Sequence, residues 1–357
     1  MRIGIFDPYL DDGGGGEKYM LTIAECLAAQ HDVSLFWDNK ADLDAVKKRF
    51  SLALNGVRLQ KNVFASHISM WERLHVTQQY DAIIVLSDGS IPLTLSKKLF
   101  LHIQQPLSHA ETAGIMAGFK TARITSVFYN SSYTKEYNRK LFPSTKNTIL
   151  YPPVTIYGKQ LEKENLILHV GRYRKVKGTQ SDYKKQQFML ETFKKMVDDG
   201  LRGWKFIIAA GLKDTDTDAF VELQTMGKGY PIEYQINVSN EALFNLYHKA
   251  KIYWHASGFG ENLHAYPELA EHFGISTVEA MGSGAVPVVL NAGGQKEIIN
   301  NNVNGLLWTT QEEFIEKTQS VIQNQELREH LSLNAIKRSK DFSKEKFCQN
   351  IHELIRM

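Results

Sequence analysis

Cysteine is nearly absent: Cys26 and Cys348 are all that 357 residues contain. They show neither metal-ligand spacing nor a disulfide framework, which excludes a zinc-stapled or disulfide-dense module and makes a reducing cytoplasm the expected location. No apolar run approaches the roughly 18 residues needed to cross a bilayer. The opening MRIGIFDPYL reads as a strand that begins at once, without a secretory leader. An excess of one charge is also missing. Lys and Arg number 42 against 39 Asp and Glu, a net +3 that lies in residues 1–150. That is too small for a nucleic-acid protein, so no nucleic-acid partner is expected. There is no internal repeat and no low-complexity segment.

What is present is an alternation of short apolar runs and amphipathic stretches. RIGIF (2–6), DVSLFW (32–37), DAIIVLS (81–87), LFLHI (99–103) and ITSVFYN (124–130) read as buried strands. NLILHVG (165–171), KFIIAAG (205–211), IEYQIN (232–237), KIYWHA (251–256) and AVPVVL (285–290) repeat the rhythm. Met20, Ile23, Ala24, Leu27 and Ala28 fall at helical spacing within 17–30. Such a pattern implies α/β architecture with parallel sheets covered on both faces. YPPVTIYGKQLEKEN (151–165) breaks it with two prolines and a polar stretch. We therefore expect a domain over 1–155, a second over 156–335, and a helical segment over 336–357 that packs back toward the first. Two doubly wound, Rossmann-like domains would face a central cleft with their strand C-terminal ends, where open α/β sheets bind ligands.

DPYLDDGGGGEKY follows the first strand and opens the first helix. Its glycines permit close backbone approach and the helix start suits an anion, although a plain flexible turn is the alternative. Neither the dinucleotide fingerprint nor the Gly-Lys-Ser/Thr phosphate loop is matched. Arg172 stands just past a strand end, and Lys184 and Lys185 open the next helix. A guanidinium fork suits phosphate oxygens, and cations at a helix start are unfavourable unless an anion arrives. A solvated basic loop, with Arg174, Lys175 and Lys177, is the alternative. Asp214, Asp216 and Asp218 are better read as helix capping than as a divalent-cation site, and the EF-hand pattern fails at Ala219 and Thr225. His255, His264 and His272 lack zinc spacing, so no metal is expected. His102 ends a strand. It is either a cleft-facing base or a satisfied core histidine.

The most informative stretch is HASGFGENLHAYPELAEHFGISTVEAMGSGAVPVV, from His255 to Val289. Glu271 and Glu279 flank a Phe-Gly-Ile break and a helix start for which Ser276 is a good N-cap. Amides of residues 274–277 would offer a diphosphate the positive end of a helix. Glu279, in the first turn, would reach hydroxyls on one side of that diphosphate, and Glu271 a group on the other. A nucleoside diphosphate sugar has this shape. Acidic capping alone accounts for Glu279 but not for Glu271.

EHFGISTVEAMGSGAVPVVLNAGG resembles the E-x7-E region of the retaining glycosyltransferases of family 4, which have the GT-B fold. GGGGEKY, NSSYTKEY, YPPV, HVGRY, KKQQFMLETF and GGQKEIINNNVNGLLW extend the resemblance over nearly the whole chain. The EHFGI form is also similar to mannosyltransferases that extend lipid-linked oligosaccharide. The resemblance implies that Glu279 binds ribose hydroxyls and that Glu271 contacts the donor sugar. It implies that Gly274, Ile275 and Ser276 lend amides to the diphosphate, that Arg172 binds it too, and that Gly15 and Gly16 approach the donor. Counting back from Phe193 places the family lysine at Lys184, with Lys177 and Lys185 as rivals, and His102 roughly matches a cleft histidine. The insertion GFGENLHAYPELA, absent from common members, is expected to form a lip over the sugar pocket.

The implied enzyme is a metal-independent hexosyltransferase without cofactor. It would move a sugar from GDP-mannose or a UDP-sugar, with retention, to a saccharide or lipid-linked glycan in polysaccharide biosynthesis. KKLFLHI and KEYNRKLF mix basic and aromatic residues, so a peripheral contact with an anionic inner membrane face is a further expectation, with solvated helix faces as the alternative. A GT-B epimerase or phosphorylase, or a catalytically silent sugar-nucleotide-binding subunit, are the competing functions. Release of nucleoside diphosphate only with an acceptor would separate transfer from both.

Overall fold

The computed structural model describes residues 1–12, 14–112, 114–156, 162–175 and 182–357. They form two compact units, residues 1–153 with 344–357, and residues 154–343. The division falls beside Pro152 and Pro153. The helix Gln325–Ser339 belongs wholly to the second unit, so the chain returns to the first at Lys344 rather than at 336.

In the first unit, β1 (Arg2–Phe6), β2 (Asp32–Phe36), β3 (Val57–Gln60), β4 (Ala82–Leu86), β5 (Lys98–Ile103), β6 (Ile124–Tyr129) and β7 (Lys146–Ile149) make one parallel sheet. Its order is β3-β2-β1-β4-β5-β6-β7. Ile3, Ile5, Val33, Leu35, Ile84 and Phe100 pack in one core cluster with Met20, Ile23 and Leu27 of the helix Gly15–Ala28. The last helix, Lys344–Arg356, adds Phe347, Ile351, Leu354 and Ile355 to that cluster. There Cys26 and Cys348 form a disulfide, with Cα atoms 5.2 Å apart. This corrects the expectation of unbridged cysteines. A separation of 322 residues gives no local signal, because helix packing alone brings the two thiols together. The inference of a reducing compartment loses the support it drew from them.

In the second unit, β8 (Glu164–Arg172), β9 (Lys205–Gly211), β10 (Ile232–Ile236), β11 (Ala250–His255), β12 (Val286–Leu290) and β13 (Leu306–Trp308) form a parallel sheet in the order β10-β9-β8-β11-β12-β13. Its core includes Phe193, Phe206, Trp254, Trp308 and Phe314. The strand order reverses at β1/β4 in one sheet and at β8/β11 in the other. Neighbouring crossovers leave there in opposite directions, the arrangement at which open α/β sheets form a ligand crevice at their strand C-terminal ends. No helix among the described residues is long and apolar enough to cross a membrane.

Candidate functional site

The second unit gathers the candidate residues around its β8/β11 switch point. Arg172 closes β8 and is exposed, opposite Gly211 of β9. His255 closes β11 and is buried. Beyond β11 the chain runs through a turn-rich segment to the helix Ile275–Gly282.

The N-cap of that helix is Gly274, not Ser276, and no side chain caps it. Gly274 has φ +121°, a region open mainly to glycine, and a Cβ here would meet Gln295 Nε2 at 2.7 Å. Ser276 lies inside the first turn, where its Oγ accepts a hydrogen bond from Tyr253 at 2.7 Å. The serine hydroxyl is held by the sheet rather than by the helix start, which explains the correction. Gly274, Ile275 and Ser276 are thus contiguous at an uncapped helix start, an arrangement that suits an anion. After β12, Gly293 and Gly294 press against the segment before that start. Gly294 N–H donates to Glu271 O at 2.7 Å, and a Cβ on Gly294 would come within 2.5 Å of His272 O.

Glu271 and Glu279 differ in environment. The Glu271 side chain is 17% exposed, and its Oε2 receives Lys184 Nζ at 2.7 Å and His255 Nε2 at 2.6 Å. Burial alone would raise its carboxyl, but Lys184 and His255 outweigh that and hold it well below the usual range. Glu279 is the fifth residue of its helix, past the first turn, so acidic capping does not account for it. Its Oε2 accepts Tyr247 O–H at 3.0 Å. Burial, then the Glu279 charge, keeps that buried phenol protonated well above its usual range.

Asp182 caps the helix Gln186–Asp198 by accepting the amides of Gln186 at 2.9 Å and Gln187 at 3.1 Å. Lys185 precedes this helix with φ +57° and pairs with Glu261. Each of the two lysines thus has a carboxylate partner within the unit, Glu271 for Lys184 and Glu261 for Lys185, so the helix start tolerates them without an external anion. Lys177 lies outside the described residues. The insertion is packed down. Phe259 sits 4.3 Å from the Phe188 ring and 5.2 Å from Trp308, so at least this part is anchored rather than free as a lip. Asp216 occupies the N-cap of the helix Thr217–Met226 without making a side-chain capping bond. Among the described residues no group of three His, Cys, Asp or Glu could hold a metal ion.

In the first unit, Gly15 and Gly16 open the first helix, and the Gly14 amide is bonded by Glu17. A Cβ on Gly16 would come within 2.5 Å of Gln104, so a larger residue would displace that side chain. His102 is fully buried, not cleft-facing. It stacks 4.0 Å from Tyr19, and its Nδ1 lies 3.3 Å from Phe128 O. Burial pushes its imidazole down to about 3. His102 is thus a core histidine, though not a satisfied one, because its buried Nε2 has no hydrogen-bond partner among the described residues. KLFLHI is likewise the buried strand β5, which removes its apolar residues from any membrane surface. In KEYNRKLF, Tyr137, Arg139 and Lys140 are exposed and Phe142 is buried.

His255, Tyr247, Tyr253 and Gln295 were not singled out for the site by spacing. Their signal is tertiary: each reaches the E-x7-E segment from another strand, helix or turn.

The family profile "Glycosyl transferases group 1" matches residues 158–338. A curated relative, GDP-Man:Man(3)GlcNAc(2)-PP-Dol alpha-1,2-mannosyltransferase of Dictyostelium discoideum, is 28% identical over 58% of this chain and 42% of its own. The protein of the same name from Neurospora crassa is 22% identical over 97% of this chain and 78% of its own. The chain thus spans under half of the former relative's length. Among solved structures, Anabaena HepE in complex with UDP superposes with TM-score 0.73 at 18% identity, covering all of both chains. At that identity the likeness speaks for the GT-B fold. Since the profile match spans more than half of the sequence, the chain belongs to the glycosyl transferases group 1 family.

Proposed function

We propose that this glycosyltransferase moves a hexose from a nucleoside diphosphate sugar, GDP-mannose or a UDP-sugar, to a hydroxyl of a saccharide or lipid-linked glycan, with retention and without a metal. The observation that carries this reading is the uncapped start of helix 275–282 between two differently held carboxylates, Glu271 and Glu279. The relatives' names mention GDP-Man and a dolichol-linked acceptor, and the HepE crystals contain UDP.

In this reading the amides of Ile275 and Ser276 and the Arg172 guanidinium take the diphosphate, with Lys184, one of whose three N–H donors is used by Glu271, as the second cation. Glu279 takes the ribose hydroxyls, and Glu271 a hydroxyl of the sugar. The glycosidic bond to the diphosphate breaks as the acceptor oxygen bonds the anomeric carbon on the same face. The acceptor proton leaves with the departing phosphate oxygen. Cations and helix amides, already oriented, stabilise the growing negative charge. The first unit is assigned the acceptor.

Transfer should persist in excess chelator, and proton NMR of the product should show the donor's anomeric configuration. Arg172→Ala and Lys184→Ala should each slow transfer by about 100-fold or more. An inverted anomer would exclude retention, and full turnover in both variants would refute the charge assignment.

A further inference from the structure

Glu271 lies on irregular chain between a short 3-10 turn, Pro267–Leu269, and Gly274. A glutamate side chain there has several free torsions, and something must fix its rotamer. Two donors do so, both on the same oxygen. Lys184 Nζ is 2.7 Å and His255 Nε2 is 2.6 Å from Oε2. Among the described residues no donor takes Oε1. Lys184 comes from the approach to helix 186–198, whereas His255 is the last residue of a central strand and is 1% exposed. A donor on a strand is a firmer reference point than one on a loop.

The protonation state of His255 follows from its surroundings. Nδ1 is buried without a hydrogen-bond partner, so a proton on it would be stranded. Nε2 faces a carboxylate and therefore carries the hydrogen. Ser257 Oγ lies 3.3 Å from the same nitrogen, and the ring of His169 is 6.2 Å away. Burial lowers the imidazole and outweighs the opposing pull of Glu271, in line with a neutral ring.

We propose that His255 is a positioning residue: with Lys184 it holds Oε2 of Glu271, so that Oε1 is presented to a hydroxyl of the transferred sugar. This rests on the proposed function. It adds a residue outside the E-x7-E segment and divides the labour between the two carboxylate oxygens. A merely fold-stabilising pair would affect stability and leave sugar handling alone.

The test compares His255→Phe with His255→Gln, which keeps an N–H donor. His255→Phe should lower kcat by about 10- to 100-fold, because a small misplacement of a positioned group costs that much. Affinity for free UDP or GDP, which lacks the sugar, should stay within about twofold, and His255→Gln should recover most of kcat. Wild-type kcat in the Phe variant, or a Gln variant as slow as Phe, would overturn the proposal. Should the Phe variant fail to fold, nitrogen-15 NMR of histidine-labelled wild-type protein at pH 7 still decides. A hydrogen on Nε2, bonded to the Glu271 carboxylate, is expected, and an Nδ1–H tautomer with a bare Nε2 would overturn it. If the wild-type enzyme itself binds no nucleoside diphosphate, the functional reading fails first, a result distinct from these.

Discussion

Asp7, at the end of β1, is fully buried. Its Oδ1 accepts the Tyr9 amide at 2.9 Å, while Oδ2 has no partner. Burial, with smaller contributions from Glu17, Asp11 and Asp12, pushes the carboxyl from 3.8 up to about 7. Between those values the folded chain holds a proton that the unfolded chain has lost. Its contribution to stability is therefore full below pH 4 and falls as pH rises toward 7. Asp7→Asn keeps the acceptor and removes the titration. At pH 8 it should be more stable than wild type by on the order of a few kcal/mol, with the gap closing toward pH 4. Urea midpoints at the two pH values check this, and a gap independent of pH would contradict it. At this scale the sequence was partly legible. Glu271, Glu279 and Arg172 could be picked out because a loop-to-helix start and a strand end are local features. The helix start at Gly274 rather than Ser276 and the contact of His255 with Glu271 are not legible locally, because the partners Tyr253 and Glu271 come from elsewhere in the chain.

Among the elements, helix 275–282 depends on both of its ends. Its C-terminal end shares a cation with the helix Asn240–Lys249. Lys163 Nζ donates to Ser283 O at 2.6 Å and Ala250 O at 2.8 Å, with Tyr247 O at 3.5 Å. Burial pushes the Lys163 ammonium down to about 7, and carbonyls at two helix ends oppose that loss of charge. Lys163→Met leaves those carbonyls without their donor and should destabilise the protein by about 2–4 kcal/mol. An unchanged thermal midpoint would show that water replaces the ammonium at no cost. Long buried strands such as 165–171 and 251–256 could be read from their apolar runs. The edge strands β3, β7 and β13 could not, since they are three or four residues long and β3 and β7 bury neither face fully. Pattern needs length before it rises above chance.

For the whole molecule, the Cys26–Cys348 bridge closes a loop that contains all of residues 154–343, so the second unit is inserted within a covalently closed first unit. Lys344 pairs with Glu25 beside the bridge, and Lys98 Nζ donates to Ile355 O at 3.1 Å, so the last helix is held at several points. Reduction should lower the stability of the first unit by about 2–4 kcal/mol and leave the second unit's transition in place. Calorimetry with and without reductant checks this; coincident shifts of both transitions would contradict it. The return of a C-terminal helix to the first domain is an expectation of the sequence, but the bridge itself is not legible from two cysteines at opposite ends of it.

The account stands on the claim that the second unit holds a nucleoside diphosphate sugar across the start of helix 275–282. Isothermal titration of wild type and Glu279→Ala with UDP-, GDP- and ADP-sugars tests it most directly. At least one donor should bind wild type, and the variant should bind it about tenfold or more weakly, the cost of a lost hydrogen bond to a charged group. No binding by wild type, or equal affinity in the variant, would contradict the claim.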